Sequence, residues 1–401
     1  MTPFLHSHHL TDRFQALDQF LIEHQKLWKP RPFTTLRLDW ETQHPALAAH
    51  LRHCSLADAE ADHDPQALPA PYPQLSEKAH QLSSLGALPD TGLPPAAHRL
   101  DVNVPGRKWQ QIEAFSRRLD FRTQTQHWLD WCSGKGYLGR RLLQPGQQLT
   151  CLEYDPELVT AGQALSDHHH LPATHIHQDV MAADSRRYLG SDKSVVALHA
   201  CGDLHVHLLR VASEQGCRHL AVAPCCYNRI QGEQYQPLST AARASALQLS
   251  LLDLGLPLSE TVTAGARVRQ QRDCSMARRL GFDLLQRQQR QCDDYLPTPS
   301  LPVAWLSKPF EQYCRELADL KQLELTVTPD WETLEAVGWQ RLAEVRNLER
   351  VRNLFRRPLE LWLVLDRALF LEEQGYAVRL GTFCDYPLTP RNLLLLAERD
   401  S

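Results

Sequence analysis

Apolar side chains recur every three to four positions over residues 10–28. Leu10, Phe14, Leu17, Leu21 and Trp28 share one face behind Thr11 and Asp12. That period predicts an amphipathic helix ending before Pro30, and a second helix starts near Pro45. Over SLADAEADHDPQALPAPYPQ (55–74) and PDTGLPPAA (89–97) acids and prolines replace the pattern, as in linkers or surface loops. From about residue 99 the texture changes. KWQQIEAFSRRL (108–119) has a helical period, and short apolar runs follow at HWLDWC (127–132), LTCLEY (149–154), HIHQDV (175–180), SVVALH (194–199) and HLAVAP (219–224). Strands alternating with helical connections imply a parallel sheet in an α/β fold. Near the end, PLELWLVLDRALFLEEQG (358–375) is an amphipathic helix stopped by Gly375. YAVRLGTFC (376–384) and RNLLLLAER (391–399) then form a hairpin, which predicts a seven-stranded sheet with one antiparallel strand. The expected organisation is a helical accessory region over 1–98 and a core of five strands over 99–227. A helical insertion covers 228–357, and 358–401 completes the sheet.

Composition narrows the class. Hydrophobic residues make up 43% of the 401, ordinary for a globular protein. No apolar run reaches the roughly 20 residues of a membrane span. MTPFLHSHHL lacks the basic-then-apolar pattern of a secretory signal, so a cytoplasmic protein without a membrane partner is expected. The 11 cysteines are scattered without a C-x-x-C pair and are expected as free thiols. A net charge of −4 excludes a molecule that is basic as a whole. Two stretches are locally basic: 266–290 has seven Arg against two Asp, and 340–357 has six Arg against two Glu. They suit RNA phosphates, or equally a solvated, salt-bridged helical face.

Candidate chemistry begins at DWCSGKGYLGR (130–140), where Gly134, Gly136 and Gly139 spell G-x-G-x-x-G. Glycines opening a helix suit any ligand that needs close backbone contact, a dinucleotide included. The preceding residues point elsewhere. Asp130 would repel a pyrophosphate but could hold the ammonium of an amino-acid ligand, directly or through water. Glu153, seventeen residues after Gly136, ends the second strand, where a carboxylate accepts ribose hydroxyls. Asp179 follows the third strand, where it would meet an adenine amino group. The three acids together favour S-adenosylmethionine over NAD, although each alone could be a capping or salt-bridging carboxylate. Cys132, Tyr137, Leu138, Tyr154 and Val180 flank these positions and are expected to line the cofactor.

DWCSGKGYLGRRLL, VVALHACGDL, AVAPCCYN and LVLDRALFLEEQG…DYPLTPRNL together resemble one methyltransferase-domain family. It includes human methyltransferase-like proteins once labelled rRNA adenine dimethylase-domain proteins, and the glutathione S-transferase C-terminal-domain-containing protein. More distantly, HACGDL and PCCY are similar to the tRNA 2′-O-methyltransferases of the acceptor stem. The likeness covers about 105–230 and 355–400. It implies a Rossmann-like methyltransferase with S-adenosylmethionine as donor, held by the glycine loop, Glu153 and Asp179. It also implies a role for Lys108, in PGRKWQQIEAF, on the substrate side. Cys132 departs from the pattern: many methyltransferases have the first loop glycine there.

Ligands of open α/β sheets lie beyond the carboxyl ends of the strands. His199, Cys201, Gly202 and Asp203 follow the fourth strand, and Pro224, Cys225, Cys226, Tyr227 and Asn228 follow the fifth. Both clusters should face the transferred methyl group. Asp203 and His199 are the candidate bases, with His199 also a cofactor contact. Tyr227 could stack on a base or clamp a substrate nitrogen, and Cys225, Cys226 and Asn228 are candidate substrate contacts. His199 could instead only bond to backbone, and the cysteines could be turn residues. No metal site is expected, because the spacing matches no zinc pattern. His168, His169, His170, His175 and His177 read as a solvated loop. The expected function is an S-adenosylmethionine-dependent methyltransferase acting on a macromolecule, with RNA (tRNA or rRNA) preferred to protein. The rivals are an NAD(P)-dependent oxidoreductase and a non-catalytic RNA- or protein-binding module. The oligomeric state is open.

Overall fold

The computed structural model describes residues 3–61, 64–96, 100–259, 265–326 and 329–400. Its strands are β1 (Leu5–His6), β2 (His127–Trp131), β3 (Gln148–Glu153), β4 (Ala173–His177), β5 (Lys193–Leu198), β6 (His219–Ala223), β7 (Ala377–Thr382) and β8 (Leu393–Glu398). They lie in one sheet in the order β1-β7-β8-β6-β5-β2-β3-β4. β2 to β6 are parallel, and β8 runs antiparallel to both β6 and β7, with Val222 and Leu380 each level with Leu395. The unbroken apolar runs have their reason in this arrangement: every residue of β6 and β8 is buried, as in strands covered on both faces. The seven anticipated strands are joined by an eighth. β1 pairs with the edge of β7 through two residues, too few to show a period in the sequence.

From β2 the order runs one way through β3 to β4 and the other way through β5 to β6. The reversal puts a crevice beyond the carboxyl ends of β2 and β5. The glycine loop and the His199–Asp203 segment begin there, because Asp130 is level with Val196 across β2 and β5.

The chain divides into two compact units, at other points than the sequence suggests. The first holds the described residues of Met1–Ile22, Leu82–Val262 and Arg357–Ser401. The expected accessory region and insertion thus each give part of their length to the sheet unit. The boundary expected at 98/99 lies outside the described residues. Residues 235–239 are tied in by Asp366, buried in the helix Arg356–Glu373. Its carboxylate accepts from Leu238 N at 2.9 Å, Ser239 N at 2.7 Å and the Tyr235 hydroxyl. The second unit holds the described residues of Glu23–Gln81 and Thr263–Arg356 and is helical, with long helices at Ala266–Arg290 and Trp331–Asn353. Among the described residues no helix is long and apolar enough to cross a membrane.

The arginine-rich stretches belong to these two helices, and much of their charge is engaged inside the unit. Arg278, Arg287, Arg341 and Arg352 are all buried. Arg278 pairs with Glu335 at 3.1 Å, and Arg287 with Asp283 at 2.9 Å. Arg287, Arg341 and Arg352 donate to the carbonyls of Thr34, Thr35 and Trp28, each at 2.8 Å. Neither reading describes these four: they are salt-bridged or bonded to carbonyls, but inside the unit rather than on a solvated face.

Candidate active site

The glycine loop leaves β2 through a left-handed turn. Cys132, Gly134 and Gly136 have φ of +58°, +57° and +71°, and the helix Tyr137–Leu142 follows. Gly136 is required twice over. Its φ suits glycine, and a Cβ there would lie 2.5 Å from Cε1 of His175. His175, expected in a solvated loop, is in fact buried beneath the turn, with Nε2 3.0 Å from Ser166 Oγ. His168 and His177 are exposed, but they end the helix Pro156–His168 and β4 rather than lying in a loop.

The acids take different parts. Asp130 is 2% exposed and accepts from Gly139 N at 3.0 Å. Burial pushes its carboxyl up to about 7, against the lowering effect of that bond and of Arg140 and Lys108. Asp130 is thus desolvated and holds the start of the helix Tyr137–Leu142 against β2. Glu153 is half-buried at the end of β3 and spans the loop. Oε2 accepts from Gly134 N at 2.7 Å, and Oε1 from Tyr154 N at 2.9 Å and Asp155 N at 3.0 Å. A carboxylate has about four acceptor positions, so Glu153 keeps capacity for a hydroxyl. Asp179 is exposed and uses Oδ1 on Met181 N at 2.9 Å. Tyr154 is 69% exposed beside Glu153, a flat face open to a base. Tyr137, Leu138 and Val180 are buried, so their side chains line the core side of the loops.

Beyond β5, His199 also has a left-handed backbone, with φ +71°. In a non-glycine residue this conformation is uncommon and clusters at functional sites. His199 Nε2 is 2.9 Å from Gln111 Oε1. Gln111 lies one turn after Lys108 in the helix Gly106–Ser116, and Lys108 Nζ sits 5.4 Å from the Tyr137 ring centre. His199 is exposed to solvent on part of its ring; desolvation of the rest, and then the Lys108 ammonium, pull it below its ordinary value, which favours the neutral ring. The structure thus brings Lys108, Gln111, Tyr137 and His199 together. Gln111 was not singled out in the sequence, although its i, i+3 spacing from Lys108 was the available signal.

Other expectations are redirected. Asp203 Oδ2 accepts from Gln231 N at 2.8 Å and so caps the loop after β6. Tyr227 is 1% exposed, and its hydroxyl donates to Glu360 Oε1 at 3.3 Å. It is corrected from a substrate clamp to a core residue, since a buried ring with a satisfied hydroxyl cannot stack on a substrate. Asn228 is half-buried just beyond it. His205, which the sequence analysis did not single out, supports the loop after β5: Nδ1 lies 3.0 Å from Ala200 O, and Arg367 Nε donates to Nε2 at 2.7 Å. This pattern requires the neutral Nδ1–H tautomer. Cys201 Sγ lies 3.2 Å from Cys225 Sγ, and Cys226 joins them.

A parallel sheet of this order, closed by an antiparallel β8, is the Rossmann-like sheet of methyltransferases. The all-parallel 3-2-1-4-5-6 sheet of the dinucleotide enzymes lacks that strand, and the oxidoreductase reading is set aside. Residues 107–233 match a family model described as a methyltransferase domain. No curated protein matches the sequence. Similar solved structures include magnesium protoporphyrin IX methyltransferase from Synechocystis PCC 6803 with bound SAH. It is 14% identical, with 33% of this chain and 62% of that chain covered and a TM-score of 0.26. A 16S rRNA methyltransferase from T. thermophilus, in complex with AdoMet and guanosine, is 21% identical over 32% of this chain and 37% of its own, with a TM-score of 0.24. The chain spans less than two thirds of each of these relatives.

Proposed function

We propose that this protein transfers a methyl group from S-adenosylmethionine to a nucleophilic atom of a macromolecule. The observation that carries the reading is Glu153. It lies at the edge of the crevice, bonded to the glycine loop through Gly134, with acceptor capacity to spare and an exposed aromatic beside it. In this reading Glu153 receives a ribose hydroxyl at its remaining acceptor position, Asp179 the adenine amino group, and Tyr154 one face of the base. The sulfonium supplies an electrophilic methyl, so the protein's task is to align the acceptor and remove its proton. His199 takes that proton on the ring held by Gln111, with desolvation and then Lys108 favouring the neutral ring beforehand. The RNA reading keeps the likeness of HACGDL and PCCY and loses part of its electrostatic support, because Arg278, Arg287, Arg341 and Arg352 are buried.

Calorimetric titration with S-adenosylmethionine, beside NADH, tests the cofactor. Binding in the micromolar range is expected, weakened at least about tenfold, or 1.4 kcal/mol, by Glu153→Ala. Equal binding by the variant, or binding of NADH alone, would overturn the assignment. Tritiated-methyl labelling of separated RNA and protein fractions then identifies the acceptor, and His199→Ala should abolish labelling while leaving cofactor affinity within about twofold.

A further inference from the structure

Three sulfurs meet at the carboxyl edge of the sheet. Cys201 comes from the loop after β5, and Cys225 and Cys226 from the loop after β6. Their Sγ atoms all lie within 4.8 Å of one another, and Cys201 and Cys225 are 3.2 Å apart without a bond between them. We propose that Cys201, Cys225 and Cys226 form a three-thiolate site for a zinc-class cation, with the fourth corner left to a non-protein donor.

Geometry carries the proposal. A tetrahedral zinc with Zn–S of roughly 2.3 Å separates its sulfurs by about 3.8 Å, so separations between 3.2 and 4.8 Å are those of three corners closing on one centre. The backbone is built to keep the corners together. Gly202 has φ +54°, and a Cβ there would run into the Arg229 carbonyl. That carbonyl accepts from Asp203 N at 2.9 Å, and Asp203 Oδ2 accepts from Gln231 N at 2.8 Å. The two loops are thus clamped by two hydrogen bonds directly beside the cysteines. Charge agrees as well. Three thiolates on a divalent cation leave one net negative charge, and Arg229 and Arg391 are the cations acting on Cys226. Thiols are weak hydrogen-bonding groups, so packing alone gives little reason to gather three of them at one point. On binding, the cation takes the place of the thiol protons, which pass to buffer. A site with three protein ligands keeps an open position, as catalytic zinc sites do.

The test uses the full-length chain, stripped with a chelator and loaded with zinc or cobalt. One equivalent of zinc should resist a chromophoric chelator. Cobalt should give the visible bands of a tetrahedral site together with thiolate-to-metal charge transfer. Cys201→Ser, Cys225→Ser and Cys226→Ser should each weaken zinc by at least about a hundredfold, more than outer-shell changes do, whereas Cys292→Ser should not. Should a variant fail to fold, alkylation of the wild type read by mass spectrometry decides. Zinc should protect Cys201, Cys225 and Cys226 and leave Cys54 and Cys292 reactive. Failure to retain zinc, with alkylation of the three unchanged by it, overturns the proposal. So does a Cys201–Cys225 disulfide formed by peroxide in a chain that binds no metal. None of these readouts depends on S-adenosylmethionine, so the site and the methyltransferase reading can fail separately.

Discussion

Cys132 shows how one side chain can be tolerated where the backbone asks for glycine. Its φ of +58° costs a residue with a Cβ roughly 1–2 kcal/mol, while its thiol is largely desolvated, which pushes it up to about 12. Cys132→Gly removes the strain and the packing together, so stability should change by no more than about 1 kcal/mol, read by denaturant unfolding. Cys132→Val keeps the strain, adds a β-branch and should lose about 2 kcal/mol or more. Equal stabilities would show that the turn is not held left-handed. Asp130 supplies a second contrast. Asp130→Asn keeps an acceptor for Gly139 N and should fold normally. Asp130→Ala orphans a buried N–H and should cost about 1–3 kcal/mol. Similar losses in both variants would mean that the charge, not the hydrogen bond, matters. At this scale the sequence was partly legible. Cys132 stood out against the loop pattern, and Glu153 and Asp179 fell where strand ends were expected. Gln111 was passed over because its spacing from Lys108 places it on one helix face but says nothing of its partner His199, 88 residues away. Tyr227 was misjudged because nothing local to PCCYN shows Glu360 waiting for its hydroxyl.

At the scale of elements, apolar runs marked seven strands to within about three residues, most sharply β6 and β8, where burial on both faces leaves no polar positions to blur them. The same signal says nothing of what lies under a turn. His175 opens the run read as the third strand, yet nothing in that run shows that its ring sits beneath Gly136 and Gly162. Desolvation, and then Arg140, lower it from 6.5 to about 4, with Asp167 opposing. Between pH 6.5 and 4 the unfolded chain therefore binds a proton that the folded chain refuses. The neutral ring's contribution is complete above pH 6.5 and is lost as the pH falls towards 4. After discounting for solvent around the ring it is worth on the order of 2 kcal/mol. Denaturant midpoints measured at pH 7 and pH 5 should fall less in His175→Gln than in the parent chain. An identical loss in the two proteins would assign the acid sensitivity elsewhere.

For the whole molecule, the sequence placed the sheet correctly but not the division of the chain, because the contacts that set it join distant segments. Asp366 binds residues 238–239 from more than 120 positions away, and the two arginine helices use buried guanidinium groups to hold loops near residues 28–35. A linear count of Arg against Asp and Glu registers charge but not where it is spent. Each arginine engaged on a carbonyl is one fewer to release a counterion from a polyanion. In the helix Ala266–Arg290 only Arg267, Arg269 and Arg290 are exposed among seven arginines, on a chain of net charge −4. Binding of non-cognate RNA should therefore depend shallowly on salt. Roughly −0.7 to −0.9 per phosphate for about three contacts gives a slope of log K against log salt near −2 to −3. Filter binding between about 50 and 200 mM salt would then show a loss of only some ten- to fiftyfold. A slope of about −6 or steeper would mean that the exposed charge is larger than these side chains supply. It would return RNA to the front as the acceptor through a surface other than the arginine helices.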